Sequence, residues 1–214
     1  MKAAFLILAG LFAVTAAPAQ QIYNHPDLKD IIKSQKRIAI LPFNTRISYK
    51  TQPRSFDPWA NRTKELDVAS TVQSSLYTFL LDRGTKNRVS FQDVDETNLL
   101  LKKAGMADSL FNFSNADIIK TLGVDAIIGG KYEIEHIRTD TDYSRPKRND
   151  STSTATNTPF ISGSAILTIT INDASNNGLL WRYYNSATDY SVWSTKDLLD
   201  QIVKKASRNL PYTK

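Results

Sequence analysis

The sequence predicts a mixed α/β (α+β) domain, a mixed sheet of about five strands covered by helices. Three stretches carry that expectation. Leu122-Gly123-Val124-Asp125-Ala126-Ile127-Ile128-Gly129-Gly130-Lys131 is a glycine-bounded apolar run, the pattern of a central buried strand entered from a helix that stops at Gly123. Ile161 to Tyr190 reads as a hairpin turning at Asn176-Asn177-Gly178. Upstream, short runs of strand formers alternate with segments of helical apolar period.

The first nineteen residues read as a targeting segment outside the fold. Lys2 supplies the positive end, Ala3 to Val14 the apolar core, and Ala17-Pro18-Ala19 the small-x-small cleavage pattern, so the mature chain is expected to start at Gln20. Gln20 to Leu28 is then a tail, with a short helix over Pro26 to Ser34 whose apolar side is Leu28, Ile31 and Ile32. Arg37-Ile38-Ala39-Ile40-Leu41-Pro42-Phe43 is a strand that Pro42 ends, because proline has no N–H for the ladder. Asn44 to Phe56 reads as a polar loop.

Asp57-Pro58 is a helix start, cap followed by proline at the first helical position. Leu66, Ala69, Val72, Leu76 and Phe79/Leu80 form its expected core face, and Gly84 closes it. Arg88 to Gln92 is a second short strand. Asp93-Val94-Asp95 opens a helix carrying Leu99, Leu100 and Leu101 to a stop at Gly105, and Ser114 with Asp117 makes a variant capping box for the short helix leading to Leu122.

After Gly130 the strand continues through Tyr132, Ile134 and Ile137. Residues 138–160 are rich in Thr, Asp, Ser, Asn, Arg, Lys and Pro and read as a long surface insertion. Beyond it, Ala165, Leu167, Ile169 and Ile171 share one apolar strand face. Ser194 and Asp197 cap a final helix whose Leu198, Leu199, Ile202, Val203 and Ala206 pack inward. The reading is a single domain over 36–214, preceded by the tail or short helix of 20–35.

Composition excludes several functions. The chain has no cysteine, which removes disulfides, cysteine-ligated zinc and a thiol nucleophile. No segment after the leader is long and apolar enough for a spanning helix, so no membrane anchor is encoded once the leader is cleaved. Without Lys2, 26 basic residues face 21 acidic ones. Export directs that excess away from nucleic acid; anionic envelope polymers, lipid head groups or solubility alone account for it, and the scatter of the basic residues favours solubility.

The strand Arg37 to Phe43, Leu76-Tyr77-Thr78-Phe79-Leu80, Val89 to Val94, Leu122 to Gly130 and Gly178-Leu179-Leu180-Trp181 together resemble a bacterial envelope superfamily. It includes the curli secretion channel protein, the penicillin-binding-protein activator lipoprotein and the N-terminal domain of the Tol system's propeller protein. The resemblance spans roughly Lys36 to Leu210, and its motifs set geometry rather than reactivity. It implies a non-catalytic exported accessory protein, periplasmic or secreted, that binds another cell-envelope protein in cell-wall or envelope assembly. The alternative it implies is a subunit of an oligomeric curli-type secretion or assembly complex at the outer membrane, a homo-oligomer. The chain departs from the lipoprotein members in lacking the anchoring cysteine.

A hydrolase with an unrecognised site is the remaining class, and its candidates are few. His25 lies in the tail and His136 near a strand end. Asp93, Asp95 and Glu96 allow paired carboxylates but stand at a helix entrance, where acids serve as caps. No serine sits in a nucleophile elbow, and Gly129-Gly130 follows a strand instead of opening a helix, which makes it a poor phosphate cradle. No catalytic residue, metal site or cofactor is expected. The candidate partner-binding residues are Tyr143, Arg145, Lys147 and Arg148, one aromatic and three cations on the polar insertion, suited to an acidic protein surface.

Overall fold

The structure, a computed structural model, describes residues 20–83, 89–138, 161–174, 178–192 and 203–213. Residues 1–19, Gly84, Asn176, Asn177, Ser194 and Asp197, and residues 139–160 of the stretch expected as an insertion over 138–160, with Tyr143, Arg145, Lys147 and Arg148, lie outside the described residues, whereas Arg138 ends β5.

In chain order the elements are β1 (Gln20–Asn24), α1 (Leu28–Ser34), β2 (Arg37–Ile40), β3 (Asn44–Tyr49), α2 (Pro58–Arg83), β4 (Ser90–Phe91), α3 (Val94–Lys103), a 3-10 segment (Ala107–Asn112), α4 (Asn115–Leu122), β5 (Ala126–Arg138), β6 (Ile161–Asp173) and β7 (Leu179–Val192). Helical residues 203–207 and a 3-10 turn at Pro211–Thr213 follow. The seven strands form one mixed sheet in the order β1-β7-β6-β5-β2-β4, with β3 also on β5. Pairing is parallel among β2, β4, β5 and β3, and antiparallel along β5-β6-β7-β1. The glycine-bounded run is thus the hub, flanked by β6 on one edge and by β2 and then β3 on the other.

The local signals explain the entry to that hub. Asp93 accepts hydrogen bonds from the N–H groups of Asp95 (2.8 Å) and Glu96 (3.3 Å) as the cap of α3. Ser114 accepts from Asp117 N–H (3.1 Å) at the start of α4. Gly123 ends α4 in the left-handed conformation (φ 65°). Asp125 then accepts from the N–H groups of Lys36 (2.7 Å) and Arg37 (2.9 Å), while its own N–H donates to the Arg37 carbonyl (2.8 Å). That exchange pins the start of β2 to the start of β5.

One sheet face carries the larger core. Ile38, Ile40, Ile128, Tyr132, Leu167, Ile169, Trp181 and Tyr183 pack there against α1, α2 and the C-terminal residues Val203, Ala206, Leu210 and Tyr212. Ala39, Leu41 and Ile127 on the other face meet α3, the 3-10 segment and α4 through Leu101, Met106, Leu110, Ile118, Ile119 and Leu122. Buried amides join the layers. Gln73 of α2 donates to the Ile40 carbonyl (2.7 Å) and pairs with Asn98 of α3, and Gln92 donates to the Leu122 carbonyl (3.1 Å). Tyr212 donates to Gln35 (2.7 Å), which donates to Asp173 (2.9 Å).

Four expectations are corrected. Gln20 to Asn24 is a strand, not a tail, because β7 is long enough to pair with it; Leu28 and Ile32 of α1 then enter the main core. Asn44 to Tyr49 is a strand, not a loop. Only Thr45 and Ile47 need face inward at its centre, too few to show as an apolar run. These two strands raise the sheet from five to seven. On α2, Leu66 is 54% exposed and Phe79 half-buried, while Gln73 is wholly buried. Glu65 turns toward β3 and accepts from Ile47 N–H (2.9 Å), which leaves the next residue facing solvent.

Two predictions follow from this packing. A Cβ on Gly130 would meet the Thr168 carbonyl oxygen and lie 2.9 Å from the Phe43 ring, whereas one on Gly129 meets only the Leu41 side chain at ordinary contact distance. Gly130→Ala therefore loses about 2 kcal/mol or more, and Gly129→Ala stays within about 0.5 kcal/mol of wild type, in urea unfolding. Tyr212 is the second case. Burial, and then the charges of Asp173 and Asp125, push its hydroxyl well above the ordinary value of 10.0. The folded state holds that proton where the unfolded chain has lost it, so its stabilisation is complete below pH 10 and declines as pH rises beyond it. Tyr212→Phe, which strands Gln35, costs about 1–3 kcal/mol at neutral pH. Its deficit shrinks above pH 10 when unfolding is measured across that range.

Candidate functional site: the half-covered sheet face

Among the described residues, the second sheet face is covered over β2 and the first part of β5. Past Ile127, β5 presents Gly129, Lys131 and Glu133, and the matching positions of β6 are Thr170, Thr168 and Ile166. On β7 the row continues with Arg182 and Tyr184. These residues floor a trough of about 560 Å3 whose wall is built by Leu110, Phe111, Phe113 and Ile118. Alternation along β6 produces the floor. Its even positions carry hydroxyls and Ile166 because the odd positions, Ala165, Leu167, Ile169 and Ile171, fill the main core.

The wall depends on a break in helical period. The 3-10 segment between α3 and α4 buries Leu110 but leaves Phe111 60% exposed, and Phe113, just past it, is 37% exposed. Exposed phenylalanines beside a groove are the unusual feature, since a folded chain gains little by placing them there. A shallower hollow of about 490 Å3 shares Arg182 and Tyr184 and reaches β1 at Gln21, Ile22 and Tyr23. The trough therefore opens toward the β1 edge of the sheet.

The surface holds two cations, Lys131 and Arg182, and one anion, Glu133. Among the described residues none of the three is in an ion pair. Aromatic rim, hydroxyl floor and unpaired cations suit recognition of an extended ligand carrying apolar and acidic groups. They supply no nucleophile with a base beside it. Among the described residues no group of three His, Asp or Glu is placed to hold a metal.

The other candidates read from the sequence have structural roles or lie elsewhere. Asp93 caps α3. Glu96 pairs with Arg37 across 2.7 Å, so the acidic cluster is not a set of facing carboxylates. His25 accepts from Asp27 N–H (3.2 Å), and His136 packs on the Tyr49 ring with centroids 5.1 Å apart. Gly129 and Gly130 lie within β5, where they serve strand packing. The insertion cluster Tyr143, Arg145, Lys147 and Arg148 lies outside the described residues. The trough itself was missed in the sequence. Its signal was the hydroxyl-rich alternate face of residues 164–172, together with Phe111 and Phe113 two apart in a segment between helices.

No family model matches the chain, and no curated protein matches it. Solved structures do resemble it. The PelC dodecamer from Paraburkholderia phytofirmans is 11% identical over 87% of this chain and 92% of that one, with a TM-score of 0.40. Lipoprotein GNA1162 from Neisseria meningitidis is 12% identical over 81% and 96%, with a TM-score of 0.39. The LpoB C-terminal domain from Salmonella enterica is 8% identical over 77% and 94%, with a TM-score of 0.36. Likenesses of this strength give the chain neither a family nor an activity.

If Phe111 serves recognition and not folding, Phe111→Ala changes stability by no more than about 0.5 kcal/mol. Its neighbour Leu110, which is 4% exposed, loses about 2–4 kcal/mol as Leu110→Ala. Equal losses in thermal unfolding at the two positions would remove the functional reading of the rim.

Proposed function

We propose that this chain is a non-catalytic accessory protein of the bacterial cell envelope that binds another envelope protein through the trough on its half-covered sheet face. The observation that carries the proposal is the pair of exposed phenylalanines, Phe111 and Phe113, lining the same trough as Arg182 and Lys131. Aromatic side chains and cations on one groove make a recognition surface, and the anchoring energy of such surfaces concentrates in a few residues of that kind. The leader-like N-terminus and the motif resemblance to envelope proteins supply the compartment. Tyr143, Arg145, Lys147 and Arg148 on the insertion are a second contact region for the same partner.

The test is photocrosslinking in intact cells from position 111 and, separately, from position 143, with mass spectrometry of the captured species. One envelope protein of different sequence captured at 111, and lost when Arg182→Ala is added, is the expected result. Capture at 143 alone would move the site from the trough to the insertion. Capture of further copies of this chain alone, in a membrane fraction, would replace the accessory reading with that of an oligomeric assembly subunit.

A further inference from the structure

We propose that β1 is a pairing edge at which two copies of this chain join, antiparallel, in a two-fold register centred on Ile22. An edge strand exposes unpaired N–H and C=O groups, and soluble proteins blunt it with charge, proline, brevity or cover. Two of the edges here are blunted. β4 has only two residues. On β3, α2 lays side chains along the backbone: Glu65 accepts from Ile47 N–H (2.9 Å) and Asn61 donates to the Ile47 carbonyl (3.1 Å).

β1 has neither protection. It is five residues, Gln20-Gln21-Ile22-Tyr23-Asn24, without a charge or a proline, and Ile22 and Tyr23 are 39% and 47% exposed. Its ladder to β7 is unbroken, and His25 N–H donates to the Leu180 carbonyl (2.8 Å) one step beyond. Antiparallel ladders alternate, so the inward-bonded residues are Tyr23 and Gln21, and Gln20, Ile22 and Asn24 turn their N–H and C=O groups outward. Among the described residues nothing bonds to those groups.

This parity permits self-pairing. With Ile22 opposite Ile22 of the second copy, Gln20 falls opposite Asn24 and Gln21 opposite Tyr23, so no charged side chain enters a facing pair and both backbone bonds form at the central Ile22 pair. The same register extends an apolar row. Gly130, Ile169, Tyr183 and Ile22 are successive cross-strand neighbours, and the second copy continues them in mirror order. The trough stays open on the opposite face, so the pairing stands or falls independently of the envelope-partner reading.

The chain has no native cysteine, which makes single-cysteine variants clean reporters. In the proposed register the Cα atoms at position 22 lie about 5.5 Å apart, within disulfide reach. Those at position 24 lie roughly 14 Å apart, out of reach. Under mild oxidation with diamide, purified Ile22→Cys should form covalent dimer at least tenfold more than Asn24→Cys. Sedimentation velocity of the wild type should show mass doubling with concentration. Ile22→Pro should remain monomeric at the same concentration with an unchanged melting temperature, because the lost N–H faces away from β7. A wild type that stays monomeric throughout, or equal cross-linking at positions 22 and 24, overturns the proposal.

Discussion

Pro42 has no N–H to give, and the edge of β5 is organised around that missing donor. Leu41 N–H still bonds to the Ile128 carbonyl (2.8 Å), after which the ladder stops. It resumes with Asn44 opposite Lys131, whereas Ile40 had been opposite Ile128. Leu41 to Phe43 therefore stands against Gly129 and Gly130 alone, an extra residue of the kind a bulge accommodates. The pleat changes phase across it: Ile38 and Ile40 enter the main core from one parity, Phe43 and Ile47 from the other. Glycine at 130 is what allows the Phe43 ring and the β6 backbone to approach together. Without that accommodation β3 would turn its polar residues into the core.

Among the described residues, the two faces are covered unequally, with the larger core on the face that packs against α1 and α2. α3, the 3-10 segment and α4 are held over β2 and the first part of β5 by Gln73 and Gln92, whose amides are buried and partnered, and by the half-buried Asn98 that pairs with Gln73. Unpartnered, each would cost about 1–3 kcal/mol, so the layer's position is fixed by hydrogen bonding as much as by apolar contact. Where the layer ends, the face of β6 and β7 is hydroxyl-rich and cationic, and the trough follows from that boundary. Its shape is thus a consequence of how the covering layer stops.

Much of the architecture was legible in the sequence because it is written in local chemistry. Asp57-Pro58, Asp93, Ser114 and Gly123 mark helix ends by backbone hydrogen bonding, which needs no tertiary context, and Ala165 to Ile171 alternates because both neighbours in the sheet are long. The two missed strands have no such mark. β1 is exposed along its length, so its residues need not be apolar, and β3 follows a phase change that breaks the alternation a reader would extend from Ile38 and Ile40. The trough was less legible still. Thr168, Thr170 and Arg182 become neighbours only through strand register, and Phe111 is remarkable only for being left uncovered.

β5, paired on both edges and switching partners at Gly129-Gly130, is the hub of the molecule. Hydrogen–deuterium exchange of the intact protein tests it most directly, since protection reports which amides open only with global unfolding. The slowest exchange is expected at Ile127, Ile128 and Tyr132 with their β6 partners Leu167 to Ile171, and fast exchange in the exposed loop from Thr51 to Ser55. Exchange at Ile128 as fast as at Gln52 would contradict that role for β5.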